Sequence, residues 1–206
     1  MKKFLRNNSL CLVAFGLFFL AAAGQSLAGY HAFNEERKDH AARPIPYGEY
    51  LRTGHFVEAL AENWESAFLE LTLFVFLGKY LRQKGSAESR DPRDQRPLPH
   101  YLKQGLGKFL YAHSLGLTLL VLFIASFSLH AWSGAHKFSE AQSLHDQPPV
   151  RAIAYIANPS FWYESFQNWQ SEFLSVGMMT LLTIFLRESG SPQSKPVKSS
   201  NRKSGE

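Results

Sequence analysis

The sequence predicts an all-α membrane protein with four transmembrane helices, arranged as two tandem parallel repeats of a helical hairpin. Three observations support this prediction: the apolar residues occur in blocks, the two halves of the chain repeat each other, and most basic residues flank the blocks on one side. Averages over the chain hide this pattern, because a mean hydropathy of -0.19 and 45% hydrophobic residues are ordinary values for a soluble protein.

The repeat has a constant offset of 105 residues. Residues 63–69 (NWESAFL) return as residues 168–174 (NWQSEFL), and residues 81–86 (LRQKGS) return as residues 186–191 (LRESGS). The offset is unchanged across two apolar segments and the loop between them, which indicates two copies of one unit. The predicted organisation is repeat 1 at residues 1–90, a cytoplasmic linker at 91–105, repeat 2 at 106–190, and a disordered cytoplasmic tail at 191–206.

The first helix of each unit is strongly apolar. We predict transmembrane helices at about residues 9–29 and 109–132, because each block lacks Lys, Arg, Asp and Glu and reaches the roughly 20 residues that cross a bilayer. The first block also resembles a secretory signal peptide, with the pattern SLA before Gly29 as a cleavage site. Its aligned copy at residues 114–134 cannot be a cleaved signal, so we expect the first helix to be retained, although the sequence alone leaves cleavage open.

The second helix of each unit is less apolar. We predict it at about residues 62–81 and 167–186, although the most apolar part of each covers only ~14 residues, which is short for a span. Trp64 and Trp169 extend these parts and are expected to act as interfacial anchors. Because the two units corroborate each other, both segments are predicted to cross the membrane. A short interfacial helix is predicted just before each segment, at residues 54–61 and 160–166.

The basic residues determine the predicted orientation. About sixteen of the 22 Lys and Arg residues lie before the first block, between the second and third blocks, or after the fourth. The positive-inside rule therefore places both termini and the central segment in the cytoplasm of a bacterial inner (plasma) membrane, as a multi-pass protein. The net charge of +5 reflects this orientation, and the partner it implies is the lipid bilayer rather than nucleic acid. The sequence allows a homo-oligomer and leaves any ion or small-molecule ligand open.

Glutamates lie in or beside the second and fourth predicted spans. They are Glu58, Glu62, Glu65, Glu70, Glu164 and Glu172. Ionisable groups in a membrane normally face a bundle interior or a water path. The predicted intramembrane polar site, a proton or cation relay, consists of Glu65, Glu70, Glu172, Asn63 and Asn168. Two alternatives stay open. In the first, the spans begin later, so that the outer glutamates lie among the lipid headgroups and Glu70 is a neutral acid. In the second, the Asn and Trp side chains form a structural clasp between helices.

Histidine and glutamate recur in the outer part of each unit. The recurring residues are His31, Glu35 and His40 in the first unit and His136, Glu140 and His145 in the second. The first His and the Glu of each unit lie one helical turn apart if the segment is helical. Imidazole and carboxylate groups suit zinc or iron, so these two pairs are the candidate metal ligands. Their spacing matches no specific metal motif, and polar contacts at helix ends are the alternative. No cofactor is predicted.

Three stretches of the sequence resemble a known family. They are residues 168–174 (NWQSEFL), residues 186–197 (LRESGSPQSKPV), and the run NNSL at residues 7–10 before a long apolar helix. Over nearly its whole length the chain is similar to a bacterial family of multi-pass integral membrane proteins that carries a domain-of-unknown-function label. The resemblance implies a bacterial multi-pass membrane protein and implies no reaction, ligand or catalytic residue.

The sequence lacks the signatures of common enzyme classes. It has no glycine-rich phosphate loop, no pair of cysteines, no HExxH and no nucleophile elbow. An enzyme is therefore not expected, and a membrane enzyme using the outer His and Glu groups is the least supported class. The sequence predicts an integral inner-membrane protein with a structural or envelope-associated role. The alternative is a small transporter or channel for protons, metal ions or a small solute that uses the intramembrane glutamates.

Overall fold

The structure is a computed structural model that describes residues 2–94, 96–97, 99, 101–143 and 147–205, and every regular element within these ranges is helical. The helices are α1 (Lys2–Asn7), α2 (Ser9–Asp39), α3 (Tyr47–Tyr50), α4 (Gly54–Leu77), α5 (Leu106–Ala112), α6 (Ser114–Ser143), α7 (Ala152–Ile156) and α8 (Pro159–Phe185), with a 3-10 turn at Tyr101–Gln104. The predicted all-α class is confirmed for this part of the chain.

Within the described ranges, α2 and α6 are the two helices long and apolar enough to cross a membrane. Only 6% of the most apolar window of α2 and 22% of that of α6 is buried inside the protein. A core helix of a soluble protein would bury most of such a window, because exposed apolar surface is unfavourable in water. The exposure of α2 and α6 therefore differs from that of a soluble core helix, and both helices could span a membrane.

Helices α4 and α8 begin earlier than the sequence predicts. The separate interfacial helices expected at residues 54–61 and 160–166 are the first turns of α4 and α8, so that prediction is wrong. The reason lies in the helix caps. The Thr53 hydroxyl accepts a hydrogen bond from the Phe56 amide at 3.3 Å, and the Asn158 side chain accepts one from the Ser160 amide at 2.9 Å. Each cap starts a helix that no Pro or Gly interrupts before the apolar part.

The starts of corresponding helices keep the offset of 105 residues. Helices α2 and α6 begin at Ser9 and Ser114, α3 and α7 at Tyr47 and Ala152, and α4 and α8 at Gly54 and Pro159. The contacts that hold the following loops correspond as well. The Asn34 side chain bonds both the amide and the carbonyl of Ile45, and the Ser139 hydroxyl bonds both groups of Val150. Each loop is therefore tied to the long helix before it in the same way.

Helix α4 lies at the centre of the packing. It runs antiparallel to α6 and approaches it closely at Gly54, where an added Cβ would lie 2.5 Å from the Lys137 amide nitrogen and 2.8 Å from the Ser133 carbonyl oxygen. Helix α2 packs against α4 through aromatic rings, with the centroids of Phe18 and Trp64 6.4 Å apart. Helix α8 lies parallel to α4. Side chains of α4, α6 and α8 therefore meet inside the bundle.

The C-terminal segment contacts the region that follows α4. The sequence predicts a disordered tail at residues 191–206. In the structure the Lys195 ammonium donates to the Gly85 carbonyl, and the Ser204 hydroxyl accepts from the Gly85 amide at 2.8 Å. The hydroxyls of Ser86 and Thr183 lie 3.0 Å apart and join the same region to α8. These contacts are polar, and the hydrophobic pattern of the sequence contains no sign of them.

Candidate functional site

A group of polar side chains fills the space between α4, α6, α7 and α8. We call it the polar cluster, and it consists of Glu58, Glu62, Glu65, His130, Lys137, Tyr155, Glu164 and Trp169. Four of its members are almost fully buried, with 2% of Glu58, 0% of Glu65, 0% of His130 and 2% of Tyr155 exposed. Helix α4 contributes three glutamates because positions four and three residues apart share one helical face. The cluster lies at the end of the bundle that carries α3 and α7.

Glu65 and His130 form the most deeply buried pair of the polar cluster. The His130 Nδ1 atom lies 2.6 Å from Glu65 Oε2, and the Trp169 indole donates a hydrogen bond to Glu65 Oε1 at 3.0 Å. Both carboxylate oxygens are therefore engaged. With Glu65 as the acceptor, His130 carries a proton on Nδ1, and its other ring nitrogen points towards Glu164, with 3.6 Å between Nε2 and Oε2.

Lys137 and Tyr155 donate hydrogen bonds to two further carboxylates of the polar cluster, those of Glu58 and Glu164. The Lys137 ammonium donates to both oxygens of Glu58, at 2.9 and 3.0 Å, and to Glu164 Oε1 at 3.3 Å. The Tyr155 hydroxyl donates to Glu164 Oε2 at 2.7 Å. Burial, reinforced by this hydrogen bond, raises the pKa of Tyr155, so the phenol remains a neutral donor at physiological pH.

The polar cluster carries an excess of negative charge. Its described members include four carboxylates, which face one ammonium group and one imidazole. Ionised carboxylates buried without counter-charge are strongly unfavourable, so such groups take up protons or bind a cation. The cluster therefore has the chemistry of a proton-exchanging or cation-binding site.

Four members of the polar cluster could surround one ion. Glu58, Glu62, His130 and Glu164 each offer a ligand atom, and these atoms all lie within 4.8 Å of one another. Among the described residues this is the one group of three or more His, Cys, Asp and Glu side chains with such spacing. The Phe161 ring stacks on the His130 imidazole at 4.6 Å between centroids and limits its rotation.

Of the residues predicted for the intramembrane polar site, the structure brings only Glu65 into the polar cluster. Asn63 is exposed and donates to the Ala59 carbonyl at 2.6 Å, while Asn168 donates to the Glu164 carbonyl at 3.2 Å. Both side chains thus bond the carbonyl four residues earlier in their own helices, and Asn168 also lies within hydrogen-bonding reach of the Glu62 carboxylate of α4. Trp169, predicted as an interfacial anchor, also bonds Glu65, whereas Trp64 packs on α2.

Glu70 and Glu172 form a second acidic pair between α4 and α8. Both are half-buried, and they lie close enough for their charges to interact. Glu70 borders a cavity of about 220 Å³ between the C-terminal halves of these helices. The walls of the cavity are mostly apolar, and Gln83, Glu88 and Ser89 close the end away from the polar cluster. The predicted polar site is thus divided into two places in the structure.

The predicted outer metal ligands lie outside the polar cluster. His31, Glu35, His136 and Glu140 are exposed on the helical continuations of α2 and α6. Each pair is one turn apart, as predicted, and their role as metal ligands stays a prediction. His40 is exposed at the end of α2, and His145 lies outside the described residues.

Sequence reasoning missed Lys137 and Tyr155 and gave no weight to His130. The signal for His130 was its position near the end of an otherwise uncharged helix. Lys137 offered no such signal, because a lysine in an outer loop is ordinary. Its role depends on α6 continuing to Ser143, which keeps Lys137 two helical turns beyond His130.

Comparison with known proteins assigns the chain to a family. The chain belongs to the DUF6766 family. The family is described as a domain of unknown function, and its model matches residues 1–206. No curated protein and no solved structure matches the chain. The expected membership of a domain-of-unknown-function family is thereby confirmed. The DUF6766 description names no ligand and no reaction, so the function has to be argued from the polar cluster.

Proposed function

We propose that this DUF6766 protein is a four-span protein of the bacterial inner membrane that passes protons or cations along the interface of α4 and α8. Both termini and the central segment would be cytoplasmic, and the polar cluster would lie near the outer face. The observation that carries the proposal is a series of carboxylates that continues along α4 from the buried polar cluster to the cavity at the other end of the helix.

Exposed apolar side chains support the membrane location. They occur between residues 10 and 27 of α2, 71 and 77 of α4, 115 and 132 of α6, and 173 and 185 of α8. Because α2 and α6 run antiparallel to α4 and α8, these four stretches lie at one level of the bundle. A continuous apolar band of this kind suits lipid tails and is unfavourable in water.

The matching helix starts support two tandem hairpin units. Two units that each cross the membrane twice insert in the same orientation and are related by an axis along the membrane normal, as in transporters built from parallel repeats. The predicted cytoplasmic side then holds the central segment and the C-terminal segment, which contact each other through Gly85 and Lys195. The basic residues of these segments agree with the positive-inside rule.

The carboxylate series offers a path for an ion. Glu58, Glu62 and Glu65 belong to the polar cluster, and Glu70 follows on the same helix beside Glu172. A helix rises about 1.5 Å per residue, so Glu58 and Glu70 lie roughly 18 Å apart along α4. The cavity bordered by Glu70 extends the series to Glu88. Intramembrane acids arranged in this way are typical of ion pathways and proton relays.

Flux measurements test the proposal. The full chain is reconstituted in liposomes, and proton and divalent-cation flux is measured for the wild type, Glu70→Gln and the matched control Glu49→Gln, which alters an exposed carboxylate of α3. We expect flux in the wild type and the control and at least a tenfold loss in Glu70→Gln. Absence of flux from folded wild-type protein would contradict the proposal and favour the structural or envelope-associated role.

Cysteine labelling tests the orientation. Cys11 is the single cysteine, so a Cys11→Ser background leaves no competing thiol. In this background Glu49→Cys is expected to react with a membrane-impermeant maleimide in intact spheroplasts, and Gln104→Cys only after lysis. The reverse pattern, or labelling of both before lysis, would contradict the proposed topology.

A further inference from the structure

We infer that Glu58, Glu62, Glu164 and His130 form a binding site for a divalent transition-metal cation. The site differs from the outer His–Glu pairs predicted from the sequence and lies inside the bundle. The inference deepens the proposed function by naming the class of cation. Transport of this cation rests on the proposed function, whereas binding of the cation does not.

The spacing of the side chains suits a metal ion. Ligand atoms about 2.0–2.2 Å from a metal lie about 3–4.2 Å from one another in tetrahedral or octahedral geometry. The four ligand atoms lie within 4.8 Å of one another, so small side-chain rotations bring them to these separations. Two helices, α4 and α8, supply the carboxylates, and α6 supplies the imidazole between them.

The His130 imidazole independently points to a ligand. Its side chain is fully buried, and Nε2 has no hydrogen-bond partner among the residues that the structure describes. A buried ring nitrogen without a partner is unfavourable, because native structures satisfy nearly all such groups. The Nδ1 atom bonds Glu65, and Nε2 is directed towards Glu164 Oε2 at 3.6 Å, which is too long for a hydrogen bond. A metal ion bound by Nε2 would satisfy this atom.

Glu65 and Trp169 would support the metal ligand. A histidine that binds a metal commonly donates its other ring proton to a carboxylate, which fixes the tautomer and makes the ligand more basic. Glu65 accepts that proton from His130 Nδ1 and is itself held by the Trp169 indole. Glu65 is therefore a positioning residue and not a ligand in this arrangement.

The charges of the polar cluster favour a divalent ion. Lys137 neutralises one of the carboxylates, and a divalent cation would neutralise two more. The Lys137 side chain is 38% exposed, so its ammonium can turn towards the outer solution when the carboxylates bind the ion. The mixture of one imidazole with three carboxylates suits Mn²⁺, Fe²⁺ or Zn²⁺ better than Ca²⁺ or Mg²⁺, which prefer oxygen ligands.

Binding of Mn²⁺ to the full chain in detergent provides the test. Electron paramagnetic resonance measures free and bound Mn²⁺, and spin-echo modulation detects a directly bound imidazole nitrogen. We expect a single Mn²⁺ per wild-type chain with nitrogen coupling. Glu62→Gln, which changes a half-buried ligand to an isosteric amide, should lower the affinity at least tenfold, and Glu65→Gln should lower it by about 10–100-fold. The matched control Glu49→Gln should bind as the wild type does.

Three results would overturn the inference: no Mn²⁺ bound by the folded wild type, equal affinity in folded Glu62→Gln, or bound Mn²⁺ without nitrogen coupling. If Glu62→Gln does not fold, the nitrogen coupling of the wild type still decides. Loss of binding in Glu140→Gln with normal binding in Glu62→Gln would move the site to the outer His–Glu pairs. Mn²⁺ binding without flux would refute transport alone, whereas proton flux without Mn²⁺ binding would refute the metal site alone.

Discussion

The Glu65 carboxylate accepts hydrogen bonds from two other helices, from the buried His130 and the half-buried Trp169. His130 of α6 and Trp169 of α8 both bond to it, so the residue connects three helices at one point. Burying this carboxylate away from water is unfavourable, and the two hydrogen bonds offset that cost. The polar contacts thus fix how α4, α6 and α8 sit relative to one another at this level of the bundle.

Removing the Glu65 side chain should therefore destabilise the fold more than neutralising it. Glu65→Ala leaves the buried His130 and the half-buried Trp169 without an acceptor, at about 1–3 kcal/mol each. We expect Glu65→Ala to lower the free energy of unfolding by roughly 2–5 kcal/mol and Glu65→Gln by less, since the amide oxygen still accepts one bond. Thermal unfolding in detergent measures both, with the exposed Glu49→Ala as control. Equal losses for Ala and Gln would contradict this account.

Tyr155 and Tyr50 provide a matched pair at corresponding positions. Both rings are buried, and each packs on a glycine of the long helix, Gly134 or Gly29. Only the Tyr155 hydroxyl donates a hydrogen bond to a carboxylate, that of Glu164. The two positions therefore separate the contribution of the ring from that of the hydroxyl group.

Tyr155→Phe should destabilise the protein by about 1–3 kcal/mol, because the Glu164 carboxylate loses a donor. Tyr50→Phe should cost less, since among the described residues its hydroxyl has no such partner. The raised pKa of Tyr155 keeps the phenol neutral, so the stability that its hydrogen bond to Glu164 contributes is present at neutral pH. This contribution is lost only as the pH rises above about 10, the pKa of a tyrosine in the unfolded chain. Unfolding curves at neutral and alkaline pH check both points. A larger loss for Tyr50→Phe would refute the assigned role.

The α4–α6 contact depends on small residues. Gly54 lies against the backbone of α6 at Ser133, and Ala61 of α4 and Ala135 of α6 are also buried. Small side chains allow helix backbones to approach closely, which is common between helices in membranes. The close approach brings Glu58 within reach of Lys137 and Glu65 within reach of His130, so the packing of these two helices decides whether the polar cluster forms.

Gly54→Ala should disrupt this approach. The new Cβ would meet backbone atoms of α6 that cannot move alone, so we expect a loss of about 1–3 kcal/mol in the free energy of unfolding. The matched control is Gly177→Ala in α8, where no heavy atom lies within 4 Å of the added Cβ. That substitution should stabilise the helix by roughly 0.5–1 kcal/mol. A harmless Gly54→Ala, measured by thermal unfolding in detergent, would contradict the close approach.

At the scale of the molecule, α2 is joined to the rest of the chain on both sides of the apparent cleavage site. The Ser26 hydroxyl lies 2.7 Å from the Tyr47 hydroxyl, and Gly29 packs on the Tyr50 ring. Cleavage before Gly29 would cut α2 between these contacts and remove its apolar half. The contacts therefore favour retention of the whole helix.

We predict that the protein isolated from membranes keeps this helix. Intact mass spectrometry of the protein expressed from this 206-residue sequence should give a mass that includes residues 2–28, with 23.3 kDa for all 206 residues. A mature N-terminus near Gly29 would contradict the four-span topology. Because the processing site would be lost in Ala28→Leu, this variant serves as a control: its mass should match that of the wild type apart from the substitution.

The helical class and the apolar helices α2 and α6 could be predicted from the sequence, and Glu65, a member of the predicted polar site, is buried in the structure. Helix formation and the distribution of apolar residues along a helix are local properties. The spacing of apolar residues and the length of each apolar block in the sequence therefore predict them directly. The starts of α4 and α8 were placed too late because the predicted boundaries followed hydropathy, whereas the helices begin at the polar caps Thr53 and Asn158. Lys137 and Tyr155 were missed because a lysine and a tyrosine in outer segments carry no distinctive local signal.

The sequence by itself determined that the chain is helical, which blocks are apolar, and that the two halves share a pattern at an offset of 105 residues. Only the tertiary structure decided which polar groups meet. Glu58, His130 and Glu164 are far apart along the chain and come together because α4, α6 and α8 pack side by side. The physical reason is that hydrophobic patterning depends on residues one helical turn apart, whereas a binding site depends on side-chain contacts between helices. Small residues such as Gly54 determine how closely two helices approach and how they are rotated relative to each other, and the sequence pattern does not report either.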